Sequence, residues 1–262
     1  MHNDASSTEL LGTAISCTGS EQFEPAFLAW LQSCLSFDGM TAIAYFQNAK
    51  PQPLFVWSSS EITHSFLHSI YLAGAYQIDP IYELHVRQYP RGCYRLRDIA
   101  PDQFHRTQYY EEYFRFTGLT DEIGILTYPA DDVSLVISLE CSKASGRRFS
   151  RHALKAAENV FPVAAALADR HWSTLEPLAS GKKQMLDAAL IASLREMHGI
   201  SLSPRQAQVA LLVLKGHSSV SIGLHLGISP QTVKVFRKQI YKRCKISSQA
   251  ELFSLLLPLL SI

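Results

Sequence analysis

Apolar residues in the first two thirds of the chain follow two periods in turn, one typical of helices and one typical of strands. From Phe23 to Leu35 they recur at three- and four-residue steps, which predicts an amphipathic helix. MTAIAYF and LFVWS then predict two strands joined by the turn-rich QNAKPQP. EIGILTYPA and VSLVISLE predict a second hairpin about Asp131-Asp132, and a long helix is expected from about Phe149 to Trp172.

The pattern between the two hairpins is less regular. A helix is expected around Ser65 to Tyr76. Asp79-Pro80 has the form of an N-cap followed by proline at the first helical position, which opens a short helix through IYELHV. A brief strand is expected around Tyr94 to Leu96, and Pro101 opens a helix rich in Tyr and Phe. Helices that bracket two hairpins and a lone strand predict an α+β protein whose N-terminal part is an antiparallel sheet in an α/β/α sandwich.

The last sixty residues predict four helices and no strand. A first helix begins at Ser203-Pro204 by the N-cap and proline rule, and a second runs from about Ser219 to Leu226. Gly227 allows a tight turn, after which Ser229 caps a third helix. A fourth helix follows from about Ser248, so an all-α C-terminal domain is expected.

A chain of 262 residues is long for one domain and natural for two. The predicted segments are a disordered N-terminus (1–20), a ligand-sensing domain (21–175), a linker with a helix (176–200) and a DNA-binding domain (201–262). PLASGKK, from Pro177 to Lys183, is the best candidate for the flexible part of the linker. The helix after it has one apolar face, including Leu190 and Leu194, which either mediates dimerisation or packs as a connector.

The net charge of +1 conceals an uneven distribution. From Gly199 onward there are eight Lys or Arg residues and one acidic residue, Glu251, which leaves 16 basic and 22 acidic residues before them. A basic C-terminal part beside an acidic N-terminal part indicates two tasks, with the basic part facing a polyanion.

The cellular location is predicted to be the cytoplasm. The five cysteines are scattered and form no CxxC pair, which favours a reducing cytosol over a disulfide framework or a zinc ribbon. MHNDASSTEL lacks the features of a signal peptide. The most apolar run, Leu255 to Leu260, is too short to cross a bilayer, so no membrane is expected as a partner.

Six basic side chains lie between Lys234 and Lys245, with no carboxylate among them. On the predicted third helix Val233 and Ile240 fall on one side, and five of these six residues occupy the other: Lys234, Arg237, Lys238, Lys242 and Lys245. A short helix, a glycine turn and an amphipathic helix with one cationic side are typical of a helix-turn-helix that binds double-stranded DNA. A merely solvated surface is the alternative, but such surfaces usually interleave acids with bases.

LSPRQAQVALLVLKG and IGLHLGISPQTVKVFRKQIYKRCKISSQAEL resemble the C-terminal domain of LuxR/NarL-type bacterial transcription regulators. The resemblance implies base contacts from Lys234, Val235 and Lys238. It implies phosphate contacts from Ser229, Thr232, Arg237 and Lys242. It also implies a homodimer held in part by the fourth helix, with RNA polymerase as a further partner.

This sequence departs from the family pattern at three places in the same segment. Ser219-Val220 replaces the usual Asn-Lys, which removes a cation from the second helix. Phe236 stands where a His is common, and Gln206 stands where an acidic residue is usual. These changes put particular phosphate contacts in doubt and leave the fold expectation unchanged.

The N-terminal part does not fit the phospho-acceptor domain that often precedes such a helix-turn-helix. An acceptor Asp would be expected near residue 55, where the sequence is PLFVWSSS. Eight of the eleven tyrosines lie between Tyr71 and Tyr113. Because buried tyrosine hydroxyls need partners, this density favours a polar-lined cavity over plain packing.

AYQIDPIYELHVRQYPRGCYRL resembles the autoinducer-binding domain of LuxR-type quorum-sensing receptors. The resemblance implies a ligand amide on Asp79 and a hydroxyl donor at Tyr94. The ligand-binding candidates are Asp79, Tyr94, Phe66, Ile70, Tyr71 and Tyr82. Ile70 replaces the tyrosine usual at its offset, so a small amphipathic effector other than a standard acyl-homoserine lactone is expected. Asp79 has a second interpretation, as the cap of the helix that Pro80 opens.

Other interpretations of the N-terminal domain stay open. A PAS- or GAF-like sensor would show a similar pattern, and a domain that binds a protein partner rather than a small molecule is the alternative function. No GxxxxGK[ST], GxGxxG, GxSxG or HExxH motif occurs, so the sequence predicts no catalytic residue, no metal site and no cofactor.

Overall fold

The computed structural model describes residues 6–47, 49–58, 66–107, 110–177, 186–256 and 258–259. The chain forms two compact units. The sheet unit comprises Met1–Glu61, Leu84–Ile99 and Gly118–Gly181, and the helical unit comprises Ile62–Glu83, Ala100–Thr117 and Lys182–Ile262. Two segments, 62–83 and 100–117, thus group with the C-terminal helices, and the predicted domain division at residues 175 and 176 stays a prediction.

The sheet unit contains a five-stranded antiparallel sheet. Its strands are β1 (Gly39–Phe46), β2 (Ala49–Ser58), β3 (Gly92–Arg95), β4 (Leu119–Ala130) and β5 (Val133–Ser142). Their spatial order is β2-β1-β5-β4-β3, and every pair is antiparallel. Both predicted hairpins are confirmed, and the lone strand begins two residues before the predicted Tyr94.

Helices cover one face of this sheet. They are α1 (Ser7–Cys17), α2 (Phe23–Cys34) and α5 (Arg151–His171), which pack on alternate strand residues such as Met40, Ala42, Ile123, Leu135 and Ile137. All of these strand residues are buried. Since strand side chains alternate between faces, the residues between them, which include Thr41 and Ser138, lie on the opposite face.

The expectation of a disordered N-terminus is wrong for residues 7–17. Ser6 caps α1 through a capping box, in which its Oγ accepts from the Glu9 amide at 3.2 Å and its own amide donates to Glu9 Oε2 at 2.7 Å. Leu10 and Leu11 pack against the core of the sheet unit, which holds the helix in place. Residues 1–5 lie outside the described part of the chain.

The continuous helix predicted around Ser65 to Tyr76 is wrong. The structure has a π-helical turn at Leu67–Tyr71 and a 3₁₀ turn at Ala75–Ile78, separated by Gly74 with φ of 153°. Two short helices follow, α3 (Pro80–Val86) and α4 (Leu96–Ile99). The helix expected after Pro101 is likewise divided into a 3₁₀ turn, Phe104–Arg106, and a π-helical turn, Tyr110–Phe114.

Five α-helices complete the helical unit. They are α6 (Leu186–His198), α7 (Pro204–Leu214), α8 (Ser219–Leu226), α9 (Pro230–Cys244) and α10 (Gln249–Leu256). The four predicted C-terminal helices are thus present at nearly the predicted bounds. Leu190 and Leu194 of α6 are fully buried within the protomer, and α6 packs on α7. This favours the connector interpretation of α6 over dimerisation. Most of PLASGKK, the predicted flexible part of the linker, lies outside the described residues, from Leu178 to Lys183.

Candidate functional site

Helices α7, α8 and α9 form a helix-turn-helix whose ends are fixed by local capping. The Ser203 Oγ accepts from the Gln206 amide at 3.3 Å, and Gln206 Oε1 accepts from the Ser203 amide at 3.0 Å. Gln206 also donates from Nε2 to Gln239 of α9 at 2.9 Å. Gln206 therefore fills the role of the acidic residue whose place it takes, because it completes the same capping box and joins the first helix to the third.

The turn between α8 and α9 positions the third helix. Gly227 ends α8 in the left-handed conformation, with φ of 64°. The Ser229 Oγ accepts from the Thr232 amide at 3.0 Å and lies 2.8 Å from the Thr232 hydroxyl. Both hydroxyls are exposed at the helix N-terminus, where the partial positive charge of the backbone attracts phosphate.

Helix α9 has one buried side and one exposed side. Val233, Ile240 and Cys244 are buried, at a spacing that keeps them on a single stripe. Lys234 and Lys238 are exposed on the other side, and the Val235 side chain retains 47% of its accessible surface. The three residues expected to contact base edges therefore share the surface of α9 that the other helices leave open.

Two of the six cations of this segment have structural contacts. The Arg243 guanidinium donates to the Ser201 carbonyl oxygen at 2.7 Å, which joins the end of α9 to the start of α7. Arg237 is half-buried, and its Nη2 lies 3.5 Å from Gln249 Oε1 of α10. Lys242, by contrast, is exposed. Arg237 is thus less exposed than the outward-facing position expected for it, and its phosphate contact stays a prediction.

The turn between α7 and α8 is bound by residues from the two inserted segments of the helical unit. The Gln103 amide donates to the Gly216 carbonyl oxygen at 3.1 Å, and Asp102 Oδ1 accepts from the Ser218 amide at 3.1 Å. Lys215 Nζ lies 2.5 Å from Glu83 Oε2. Gly216 has φ of +92°, and a Cβ there would lie 2.6 Å from Thr107 Cγ2. Only glycine allows so close an approach at this point.

His217, in the same turn, is held in its neutral form. Burial, together with the nearby His225 and Lys215, lowers the pKa of His217 to about 4. Its Nδ1 lies 2.9 Å from the Ser221 hydroxyl. The imidazole is therefore uncharged at neutral pH, so the positive charge of this turn comes from Lys215.

Asp79, the central ligand-binding candidate, occupies a capping position. Its Oδ1 accepts from the Ile81 amide at 2.9 Å, and its Oδ2 accepts from the Tyr71 hydroxyl at 2.8 Å. Burial raises the pKa of Asp79 to about 6, although both hydrogen bonds oppose that change. The structure thus brings together two candidates, Asp79 and Tyr71, and shows the capping contact; the ligand role stays a prediction.

Aromatic rings of the helical unit, including two of the ligand-binding candidates, pair with neighbouring rings. The rings of Tyr76 and Tyr82 meet edge to face with centroids 5.0 Å apart, and burial raises the pKa of Tyr82. Phe66 stacks on Phe116 with centroids 6.4 Å apart, and Ile70 is half-buried. The tyrosine-rich segment is therefore largely packed on itself.

Tyr94 belongs to the sheet unit, whereas the other five ligand-binding candidates belong to the helical unit. Its hydroxyl donates to the Pro90 carbonyl oxygen at 2.6 Å, and its ring meets that of Tyr89 edge to face. The donor that the sequence assigns to a ligand is thus bound to the backbone in this structure. Its ligand role stays a prediction.

A row of polar side chains on the sheet face opposite α2 and α5 is a feature that sequence reasoning missed. We call it the polar sheet face: Thr41, Tyr45, Glu122, Ser134, Ser138, Glu140 and, from α3, His85. All seven are buried. His85 Nδ1 lies 2.7 Å from the Ser134 hydroxyl, and the Tyr45 and His85 rings stack with centroids 5.8 Å apart. Polar groups in such number are seldom buried without a structural or binding task.

Glu140 stands out on the polar sheet face. Its Oε1 accepts from the Thr41 hydroxyl at 2.9 Å, whereas its buried Oε2 has no hydrogen-bond partner in the described part of the chain. Burial raises the pKa of Glu140 to about 7. A Cβ at Gly39 would lie 2.6 Å from this Oε2, so the glycine provides the space that the carboxyl group occupies.

Within the described ranges, no group of three or more His, Cys, Asp or Glu side chains is placed to hold a metal ion. Among those same residues, no helix has the length and hydropathy needed to span a bilayer.

Comparison with known proteins identifies the family. Residues 200–256 match the model described as bacterial regulatory proteins, luxR family. A protein of Aeromonas salmonicida, named an HTH-type transcriptional regulator in the exeN 3' region, is 30% identical over 185 residues, which cover 68% of this chain and 93% of that protein.

Two solved structures are similar to this chain. The VqsR LBD domain from Pseudomonas aeruginosa aligns with a TM-score of 0.55 and 22% identity over 64% of this chain and 98% of its own, which shows a shared fold. Escherichia coli SdiA aligns with a TM-score of 0.41 and 16% identity over 96% of this chain and 98% of its own. The helix-turn-helix, the family model and the Aeromonas relative agree, and the chain belongs to the luxR family of bacterial transcription regulators.

Proposed function

We propose that this regulator acts in the cytoplasm as a homodimer on double-stranded DNA, and that a small amphipathic molecule controls its binding. The observation that supports DNA recognition most directly is the exposed side of α9, where Lys234, Val235 and Lys238 lie together above a buried stripe. A helix of this width fits the major groove. Lysine there donates to guanine O6 and N7, and the valine methyl groups suit a thymine methyl.

Phosphate contacts would come from the two ends of α9. Ser229 and Thr232 present hydroxyls at its N-terminus, and Lys242 is exposed near its C-terminus. Contacts of this kind fix the position of the helix and carry no sequence information. We assign Arg237 a weaker share of phosphate binding than the family resemblance implies, because it is half-buried beside Gln249.

A homodimer is proposed because one short helix reads too few base pairs for useful specificity, whereas two half-sites multiply it. The fourth helix, α10, is the proposed contact. Leu252, Phe253 and Leu256 of α10 are buried in their own protomer, so the contact would use the exposed Ala250 and Ser254. RNA polymerase is a proposed further partner of the DNA-bound dimer.

Small-molecule control is supported by the buried polar side chains of the polar sheet face and by the contacts around Gly216. The segments that contain Asp79 and Tyr71 are continuous with residues that hold the turn between α7 and α8. A ligand that changes the packing of segments 62–83 and 100–117 would therefore change the stability of this turn. An allosteric response needs a structural element, here the turn between α7 and α8, whose contacts differ between the ligand-bound and the ligand-free state.

The DNA-binding part is tested with the full-length protein on sites selected from random-sequence DNA, by fluorescence anisotropy. Lys238→Ala should weaken binding to the selected site by about 1–3 kcal/mol and relax its sequence preference. Lys155→Ala removes an exposed lysine of the sheet unit and serves as the matched control. Equal loss by Lys238→Ala on selected and random DNA would contradict base recognition, and binding that does not weaken with salt would contradict phosphate contacts.

The ligand-responsive part is tested by adding fractions of a bacterial culture extract to the same assay. A change in affinity with the dialysable fraction supports a small molecule. A change with only the retained fraction would favour the alternative in which the N-terminal domain binds a protein partner.

A further inference from the structure

Glu140 is an acid in a place that does not stabilise its charge. Its side chain retains 5% of its accessible surface, and one of its two oxygens lacks a partner within the described residues. A buried polar atom without a hydrogen bond destabilises a fold, and it does so more strongly if the group is charged. Of its two carboxyl oxygens, only Oε1 accepts a hydrogen bond, which comes from the Thr41 hydroxyl.

The surroundings of Glu140 on the sheet are acidic. Glu122 of β4 lies directly opposite Glu140 of β5 in the antiparallel register, and both side chains are buried on the same face. Directly opposed side chains in such a pair lie about 4.5–5.5 Å apart at Cβ. None of the described strand residues on the polar sheet face is a lysine or an arginine. Two carboxyl groups therefore lie side by side on this face, where their polar neighbours among the seven residues are hydroxyl groups and the His85 ring.

Apolar side chains lie further along the same face, beyond the pair Thr41 and Ser138. Ile43 of β1 and Leu126 of β4 both pair with Val136 of β5, and all three are buried on the polar sheet face. Along β5 the face thus presents the Glu140 carboxyl group first, then the hydroxyls of Thr41 and Ser138, and then an apolar row. This arrangement suits a molecule with a cationic head and an aliphatic body.

We propose that the effector of this regulator carries a protonated amine, which donates a hydrogen bond to the unpartnered Oε2 of Glu140 while its aliphatic part packs beside Ile43 and Val136. This inference rests on the proposed small-molecule sensing and specifies the chemical class of the molecule. Hydroxyls of Thr41, Ser134 and Ser138 would supply further acceptors along the same face. A charge-assisted hydrogen bond of this kind is stronger than one between neutral groups.

The alternative is that Glu140 has only a structural role as a protonated acid. In that case its hydroxyl would need an acceptor, and the Thr41 hydroxyl, 2.9 Å from Oε1, can be that acceptor if Oε1 carries the proton. Glu140→Gln separates the two interpretations, because glutamine keeps the shape and the hydrogen bond from Thr41 but removes the negative charge.

The experiment uses the full-length chain and straight-chain primary amines from butylamine to decylamine, each compared with the alcohol of the same length. Titration calorimetry at neutral pH measures the affinity of each pair. We expect at least one amine to bind about ten-fold more tightly than its alcohol. Glu140→Gln should remove this preference and keep the binding of the alcohol. Glu158→Gln, which removes an exposed carboxylate, should keep both.

The outcomes are distinct. If no amine is preferred over its alcohol, or if Glu140→Gln retains the preference, the proposal is overturned. Equal binding of amines and alcohols would overturn it and still support a small-molecule site. Binding of neither series would overturn it and weigh against small-molecule sensing, while the DNA-binding proposal would be judged by the Lys238 experiment.

Discussion

Glu140→Gln should make the sheet unit more stable, and by an amount that grows with pH. The pKa of Glu140 is raised by burial from 4.5 to about 7 in the folded protein. Below pH 4.5 the carboxyl is protonated in both the folded and the unfolded chain and has no effect on the pH dependence. Between pH 4.5 and 7 the unfolded chain loses the proton more readily, so the folded state is progressively disfavoured.

The size of the effect follows from the same interval. At 1.36 kcal/mol for each pH unit, the interval from 4.5 to about 7 corresponds to about 3 kcal/mol of lost stability above pH 7. Glutamine does not ionise and avoids this loss. The variant's gain in free energy of unfolding over the unmodified protein should therefore be small at pH 5 and should rise by about 3 kcal/mol by pH 8.

The three tryptophans allow this unit to be followed separately. Trp30, Trp57 and Trp172 all belong to the sheet unit, so urea unfolding monitored by tryptophan fluorescence reports on it. Measurements at pH 5, 6, 7 and 8 would give the required series for Glu140→Gln and for the control Glu158→Gln. A stability difference of Glu140→Gln that is the same at every pH, or a variant that is the less stable protein at pH 8, would contradict a buried Glu140 with a raised pKa.

Two further substitutions test the helical unit. Asp79→Asn should change the response to culture extract. It should alter stability by less than about 1 kcal/mol, because asparagine caps α3 through Oδ1 as well as aspartate does. Lost stability with an unchanged response would contradict the ligand role. Gly216→Ala should destabilise the helical unit by about 1–3 kcal/mol more than Gly199→Ala, as measured by hydrogen exchange. Both glycines have positive φ, but only at Gly216 would the added Cβ lie 2.6 Å from Thr107 Cγ2. Equal losses would show that segment 100–117 does not hold this turn.

The helix-turn-helix could be predicted almost completely from the sequence. Its bounds depend on local signals: Ser203 and Ser229 as caps, Pro204 and Pro230 in first turns, and Gly227 in the left-handed conformation. Each signal acts within a few residues of its own position, so it can be recognised without knowledge of the tertiary structure. What the sequence did not indicate is the intramolecular contacts of Arg237 and Arg243, because their partners, Gln249 and Ser201, are distant along the chain.

The sheet could be predicted and the polar sheet face could not. In VSLVISLE, alternation correctly predicts a strand, but the usual rule that polar residues face solvent would place Ser134, Ser138 and Glu140 outside. All three are buried. Alternation shows that a strand has two different faces, and it does not show which face is covered. The segment between the hairpins was misjudged for another reason: its aromatic residues support helical periodicity, but Gly74 at φ of 153° divides the helix.

The two carboxyl groups with raised pKa values differ in a way that decides where a ligand should be sought. Burial raises the pKa of Asp79 to about 6 and that of Glu140 to about 7. Both oxygens of Asp79 accept hydrogen bonds from the protein, one of them as a helix cap, so a structural role accounts for its position. Glu140 caps nothing, and its second oxygen has no partner in the described part of the chain. Perturbed acids that local structure explains are weak indicators of function, whereas those that it leaves unsatisfied are stronger ones. The chemistry of the effector is therefore better inferred from Glu140 than from Asp79, although the family resemblance directs attention to Asp79.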